Sequence, residues 1–433
     1  MSKKQIYLTI ATITIVSNFV FVVFASPIDS NAMVTAVEKS WIDNFDSGTL
    51  DSRWTWVREN PAYWSLTANP GFLRLTTRGS LHQTSNDLEN ILLTPVSGID
   101  YRIITKVTFS PMENNHRAGL LVYEDDDNYI QLTRVYTDGD HVRIKTEIGG
   151  VNSYTYASDV VAATTLYLRL DKYANDYYGF YSLDGVVWEF IGQYNLPLSN
   201  TYVGLFAAYG PTVTEIDADF DYFEFIPRTN NTTWVDEFDS TTLNSSWSWI
   251  KEDPTHWSLA NNPGFLQIIT QNGGIFTATY HNLLVKDAPS EDYRITTKAT
   301  ISPTEDFQGA SIIVYSDDNN YIRLGRRFAS PASGDEVNFR HESNNVLVEH
   351  IAVIENATTL YLRITKEGNV YSGFYSVDED SYTYIGQTTA VFTNHKIGIL
   401  SENGPSTTEI PSDYDFFRLE TNSHLLYLPL VKR

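Results

Sequence analysis

The stretch WSLTANPGFLRL beginning at Trp64 returns as WSLANNPGFLQI beginning at Trp257, 193 residues later, with eight of twelve positions identical. A faithful internal repeat constrains a fold strongly, because each copy must bury its own apolar face and does so in the same way. Once this pair is aligned, the rest of the chain falls into register. DNFDSGTLDSRWTWV from Asp43 matches DEFDSTTLNSSWSWI from Asp236, and DYRIITKVTFSP from Asp100 matches DYRITTKATISP from Asp292. LLVYEDDDNYIQLTR from Leu120 matches IIVYSDDNNYIRLGR from Ile312, and GFYSLDGVVWEFIGQ from Gly179 matches GFYSVDEDSYTYIGQ from Gly373. The offset drifts only between 192 and 194, so loops changed length while the framework held. The organisation expected is a first copy over 41–228 and a second over 233–421, joined by the short polar segment RTNNTT.

Within each copy the local pattern is strand and turn. YRIITKVTF, YIQLTRVY, VRIKTEI and LYLRLDKY alternate bulky apolar with polar residues, the period of a half-buried strand. Their Tyr, Ile, Val and Thr content suits a pleated surface. Asp125-Asp126-Asp127-Asn128, Asp138-Gly139-Asp140, Gly149-Gly150 and Asp184-Gly185 punctuate them as turns. Asn69-Pro70-Gly71 predicts a tight turn, with Pro presetting φ and Gly free to take positive φ. Phe72 and Leu73 then start a strand, and Trp64 is expected as a buried anchor; Trp257, Phe265 and Leu266 do the same in the second copy. Many short strands in about 190 residues imply two packed antiparallel sheets, an all-β sandwich or jelly roll.

Composition limits the rest. Hydrophobic residues make up 42% of the 433, enough for two real cores, and there is no cysteine, which excludes disulfides, thiolate metal sites and cysteine nucleophiles. A net charge of −23 argues against nucleic acid and anionic membrane surfaces as partners. Lys3 and Lys4 precede an apolar run ending at Ala25, which reads as an export signal over 1–25 followed by a linker over 26–40. Thr9, Thr12, Thr14, Ser17 and Asn18 weaken the rival reading of a retained anchor, so the mature chain is expected secreted or at the cell surface, without membrane insertion. The sequons at Asn230, Asn231 and Asn356 carry little weight in a bacterial-type exported chain. The tail over 422–433 contains HLLYLPLVKR, too short to span a bilayer.

FDSGTLDSRWTWVRENPAYWSL, NPGFLRL, AGLLVYEDDDNYIQL, GFYSLDGVVWEFIG and ADFDYFEF together resemble the concanavalin A-like β-sandwich at the carboxyl end of family 43 β-xylosidases. The resemblance covers nearly all of both copies and implies two tandem concanavalin A-like sandwiches. In that family the chemistry belongs to a five-bladed propeller ahead of the sandwich. About 15 residues separate the leader from the first copy, so the expectation is an accessory module, doubled and exported without a catalytic partner.

Catalytic signatures are sparse. Glu215-Ile216-Asp217-Ala218-Asp219-Phe220-Asp221 alternates carboxylates as a retaining glycosidase would, but the second copy reads Glu409-Ile410-Pro411-Ser412-Asp413-Tyr414-Asp415 and loses the equivalent of Asp217. There is no H-E-x-x-H, no G-x-S-x-G and no Gly-rich phosphate loop, so no catalytic residue is assigned. A structural Ca2+ is the one cofactor considered, as in related sugar-binding sandwiches. Asp43, Asp46 and Asp221 are its candidate ligands in the first copy, and Asp236, Asp239 and Asp415 in the second. These side chains also suit turn capping.

A glycan site needs ring faces beside planar polar groups. Alternation places Tyr129, Gln131 and Thr133 on one strand face, with Tyr321 and Arg323 equivalent in the second copy. Tyr181 and Trp188 are further candidates, with Tyr382 at the position of Trp188. The function favoured is an exported, non-catalytic lectin-like protein recognising polysaccharide or a cell-surface glycan. A jelly-roll glycoside hydrolase and an adhesive protein without a sugar ligand are the alternatives. Since the faithful repeats read as framework, binding is to be sought where the copies diverge.

Overall fold

The computed structural model describes residues 39–82, 85–96, 100–157, 163–210, 214–228, 232–330, 334–354 and 357–422. The segment read as a leader, the middle of the interdomain segment, Asn356 and the tail beyond Asn422 lie outside the described residues.

The expected strand alternation is what forms. In Asp100–Phe109, Ile103, Val107 and Phe109 are buried, while Lys106 and Thr108 lie towards solvent. Each copy builds one eight-stranded and one seven-stranded sheet, all pairs antiparallel. In the first copy the eight-stranded sheet centres on Asp100–Phe109 beside the long strand Asp217–Arg228, flanked by Thr165–Tyr173 and Leu73–Thr76. The seven-stranded sheet runs Val151–Ala157, Asp140–Ile148, Asn128–Tyr136, Arg117–Asp125, Tyr202–Ala208, Ile91–Pro95 and Thr55–Val57 in spatial order. The second copy repeats both orders. The only helical pieces among the described residues are two short 3₁₀ turns, Pro61–Tyr63 and Ile275–Thr277. Leu75, Ile103, Val107, Leu120, Leu132, Leu168, Leu205 and Phe220 fill the space between the first pair of sheets, and an equivalent set fills the second.

The repeated tryptophan segment is framework. Phe72 N–H donates to Asn69 O at 3.1 Å, Gly71 takes φ +85°, and Asn69 is tied to Asp219 at 2.9 Å. Gly264 at φ +86° and Asn262 on Asp413 repeat the turn. Trp64 departs from expectation in being half-buried rather than buried. Its ring lies 4.9 Å from that of Trp56, with Nε1 donating to Glu59, and Trp257 on Trp249 at 5.0 Å matches it. The reason is its position on a two-residue edge strand, where no further strand covers its outer side. Pro411, at the position of Asp217, stands as the first residue of Pro411–Asn422, where a missing N–H is tolerated.

The two sandwiches pack against each other through related surfaces. Gln193 Nε2 donates to Tyr382 O at 2.9 Å, and Gln387 Nε2, 194 residues on, donates to Trp188 O at 2.7 Å. That reciprocity is the signature of a pseudo-two-fold interface. Phe180, Tyr178, Phe374 and Tyr382 form its apolar centre. Beside it lies a buried ionic cluster in which Arg102 is 2.6 Å from Asp171 and 2.7 Å from Glu367, with Arg169 also on Asp171 and Arg228 on Glu367. Burial alone would push Asp171 and Glu367 up, but the Arg102 guanidinium, with Arg169 and Arg228, holds both carboxyls below their usual range.

Candidate functional site

The outer face of the seven-stranded sheet differs between the copies. In the second copy it carries a cleft of about 630 Å³. The floor comes from Arg323 and Arg327 on Asn320–Ser330 and Arg340 on Gly334–Ser343, with Glu402 at the end of Lys396–Glu402. Strand alternation puts Arg323 opposite Arg340 in the ladder, so both guanidinium groups emerge on one face. The walls are Ile275, Phe276 and Phe307, with Leu347 from the edge strand. Phe276 is 56% and Phe307 42% exposed, so both rings offer a free face.

Glycines hold the rim open. Gly273 and Gly404 exchange backbone hydrogen bonds at 2.7 and 2.9 Å. Gly404 sits at φ +57°, and a Cβ there would come within 2.5 Å of the Phe307 side chain, so only glycine fits beside that ring.

The floor is a set of fixed ion pairs. Glu402 pairs with Arg323 and accepts from Ile275 N–H at 2.9 Å. Arg327 donates to Glu336 at 2.5 Å, and Arg340 to Glu349 at 2.7 Å. Burial, with Arg340 and Arg327 close by, draws Arg323 down to about 9. Burial would raise Glu349, yet the Asn338 amide and the Arg340 guanidinium hold it below the usual carboxylate range.

The first copy fills the same face. Arg117 stands opposite Val135 where Gly309 stands opposite Arg327 in the second. Its guanidinium reaches Asn115 O at 3.0 Å, Ser80 Oγ at 3.2 Å and Leu81 O at 3.3 Å. Leu81 and Leu88 then pack on Leu121, Tyr129 and Phe206. Gln131 and Ala208 occupy the places of Arg323 and Glu402.

These facts place the residues singled out from the sequence. Tyr129 and Tyr321 are fully buried, bonded to Glu147 at 2.6 Å and Glu342 at 2.7 Å, and present no free ring face. Gln131 is buried with neither amide atom partnered among the described residues. Arg323 lines the cleft. Tyr181 packs against the first core, and Trp188 lies at the interface between the sandwiches, 5.4 Å from the Arg169 guanidinium. A ligand role for Trp188 therefore gives way to docking of the two copies. Phe276, Phe307, Arg340 and Glu402 line the cleft too without being singled out from the sequence, although GGIFT around Phe276 is where the repeat breaks down.

The carboxylates considered for calcium have other partners. Asp43 accepts from Phe45 N–H at 2.9 Å and Trp54 Nε1 at 2.8 Å, and Asp236 accepts likewise from Phe238 and Trp247. Asp221 binds Lys106 and Asp415 binds Lys298, both at 2.7 Å. Asp46 and Asp239 lie beside Gly71 and Gly264 of the two repeated turns. Among the described residues no three His, Asp or Glu side chains gather where they could hold a metal ion. On the alternating acidic strand, Asp219 is clamped by Arg74 at 2.7 Å and Glu215 by Arg78.

A family model described as the β-xylosidase C-terminal concanavalin A-like domain matches residues 42–226 and again 235–420. A xylan 1,3-β-xylosidase of a Vibrio species is 33% identical over 178 residues, 37% of this chain and 33% of that protein. A non-reducing end α-L-arabinofuranosidase of Bacteroides ovatus is 28% identical over 198 residues, 42% of this chain and 36% of that protein. The matches thus span about a third of the length of these relatives. A family 43 protein from Bacillus licheniformis superposes with a TM-score of 0.41 at 17% identity, covering 70% of this chain and 64% of that one.

Proposed function

Because the chain belongs to the family of β-xylosidase C-terminal concanavalin A-like domains, which it carries twice, we propose that it is a non-catalytic polysaccharide-binding protein whose second copy holds the glycan. The observation that carries this reading is the cleft itself, with two exposed phenylalanine rings over a floor of fixed polar groups. Ring faces accept the C–H side of a sugar, while oriented donors take its oxygens; a few polar groups in an apolar recess is the usual composition of a ligand site. The family 43 relatives are named for action on xylan and arabinofuranosides, which makes plant-type polysaccharide the first class to try.

The floor favours binding over hydrolysis. Glycosidases keep one carboxylic acid protonated as general acid, whereas Glu349 is held low and Glu402 is paired with Arg323. On this reading the chain works outside the cell, exported by its apolar leader. The test is incubation of the purified chain with insoluble xylan, cellulose and β-glucan. Depletion from solution without reducing-end release supports the reading. Released sugar replaces it with a hydrolase, and neither outcome leaves an adhesive protein without a sugar ligand.

A further inference from the structure

We infer that the cleft of the second copy selects acidic sugars, taking a hexuronate whose carboxylate docks on Arg323, Arg327 and Arg340 while its ring lies against Phe276 or Phe307. This rests on the carbohydrate-binding reading and deepens it.

The charge distribution is the first support. The chain carries 53 acidic against 30 basic residues, yet three guanidinium groups gather along one cleft, Arg323 paired to Glu402, Arg327 to Glu336 and Arg340 to Glu349. Guanidinium groups gathered in one recess of an otherwise anionic protein give an anion one place to dock. Hydrogen-bond capacity is the second. The two oxygens of Glu402 are taken by Arg323 and Ile275 N–H, and Glu349 is taken by Asn338 and Arg340, so the floor's acceptors are occupied. Its donors are not. Arg323 makes one ion contact, and its Nε is buried without a partner among the described residues, although a guanidinium has five N–H groups to place. An orphaned buried donor is costly, so the Arg323 guanidinium favours an added acceptor on its remaining N–H groups. A carboxylate brings two coplanar acceptors that match a guanidinium fork, which a single hydroxyl does not. The first copy lacks this arrangement, with Gln131 and Val135 in place of Arg323 and Arg327.

The experiment is calorimetric titration of the full chain with trigalacturonate, its methyl ester and xylotriose at low salt. The expected result is that trigalacturonate binds at least ten-fold tighter than its ester, and that Arg323→Gln brings the two within about three-fold. If that variant unfolds early by melting temperature, Arg340→Gln serves, with the same expected loss of discrimination. Ester binding as tight as the acid overturns the inference and leaves the carbohydrate reading standing. Binding of no sugar overturns both. Poly-glutamate competing as well as trigalacturonate overturns the inference too, reducing the site to unspecific charge.

Discussion

Exchanging the buried ion pair of the second copy for the residues that occupy its place in the first makes a direct test of how the cleft floor is held. Arg323 and Glu402 have side chains only 4% and 9% exposed. Removing one partner of a buried pair strands the other charge and costs about 3–5 kcal/mol. Glu402 would keep the Ile275 N–H as a partner after Arg323→Gln, so that change sits near the lower end, about 3 kcal/mol. Glu402→Ala leaves Arg323 facing Arg340 and Arg327 and costs at least as much. The double variant removes both charges and recreates the Gln131 and Ala208 pairing that the first sandwich already tolerates. It should cost about 3 kcal/mol, where simple additivity would give about 6, a coupling at the upper end for residues in contact. Urea midpoints of the four proteins at pH 7, with unchanged slopes, measure this. A double variant as unstable as the sum of the singles would refute the reasoning, since the two charges would then not be compensating one another.

Three further outcomes follow from the packing. Trp64→Ala should cost about 1–3 kcal/mol, below the 3–5 of a fully buried ring, and leave glycan affinity unchanged; a larger loss by urea midpoint would contradict the half-buried placement. The carboxyls of Asp171 and Glu367 are depressed from ordinary values of 3.8 and 4.5, so their stabilisation is complete above about pH 4.5 and lost as pH falls through the folded values. Urea midpoints should therefore be flat between about pH 7 and 5 and fall at about pH 3, and a fall already at pH 5 would speak against a tight ionic cluster. Adding Ca2+ to EDTA-treated protein should leave the melting temperature unchanged, because Asp43 and Asp236 are spent on backbone and indole N–H groups; a rise would show a donor set that these carboxylates do not form.

The double sandwich was legible because its determinants are local and occur twice. Alternation in YRIITKVTF and the Asn-Pro-Gly turn specify strand and reversal without reference to distant residues. Site assignment failed where distant segments decide exposure. Tyr129 alternates with Gln131 and Thr133 as an amphipathic strand would, yet Leu81 and Leu88, some 40–50 residues earlier, cover that face in the first copy. Trp188 looks like an exposed loop aromatic until the second sandwich is docked against it. Arg323 lines the cleft because its strand alternates as the sequence implies, while Phe276, Phe307 and Glu402 reach the cleft from three separate segments whose convergence only tertiary structure reveals. The cleft opens where the copies diverge: Gly309 against Arg117, and Gly273-Gly274 against Ser80-Leu81.

The central claim is that one cleft, in the second copy, binds glycan. Calorimetric titration with the polysaccharide fragment that depletion identifies should return one ligand per chain. Replacing both Phe276 and Phe307 by Ala should weaken that binding at least ten-fold without lowering the melting temperature. Two ligands per chain, or affinity untouched by the double replacement, would contradict the account.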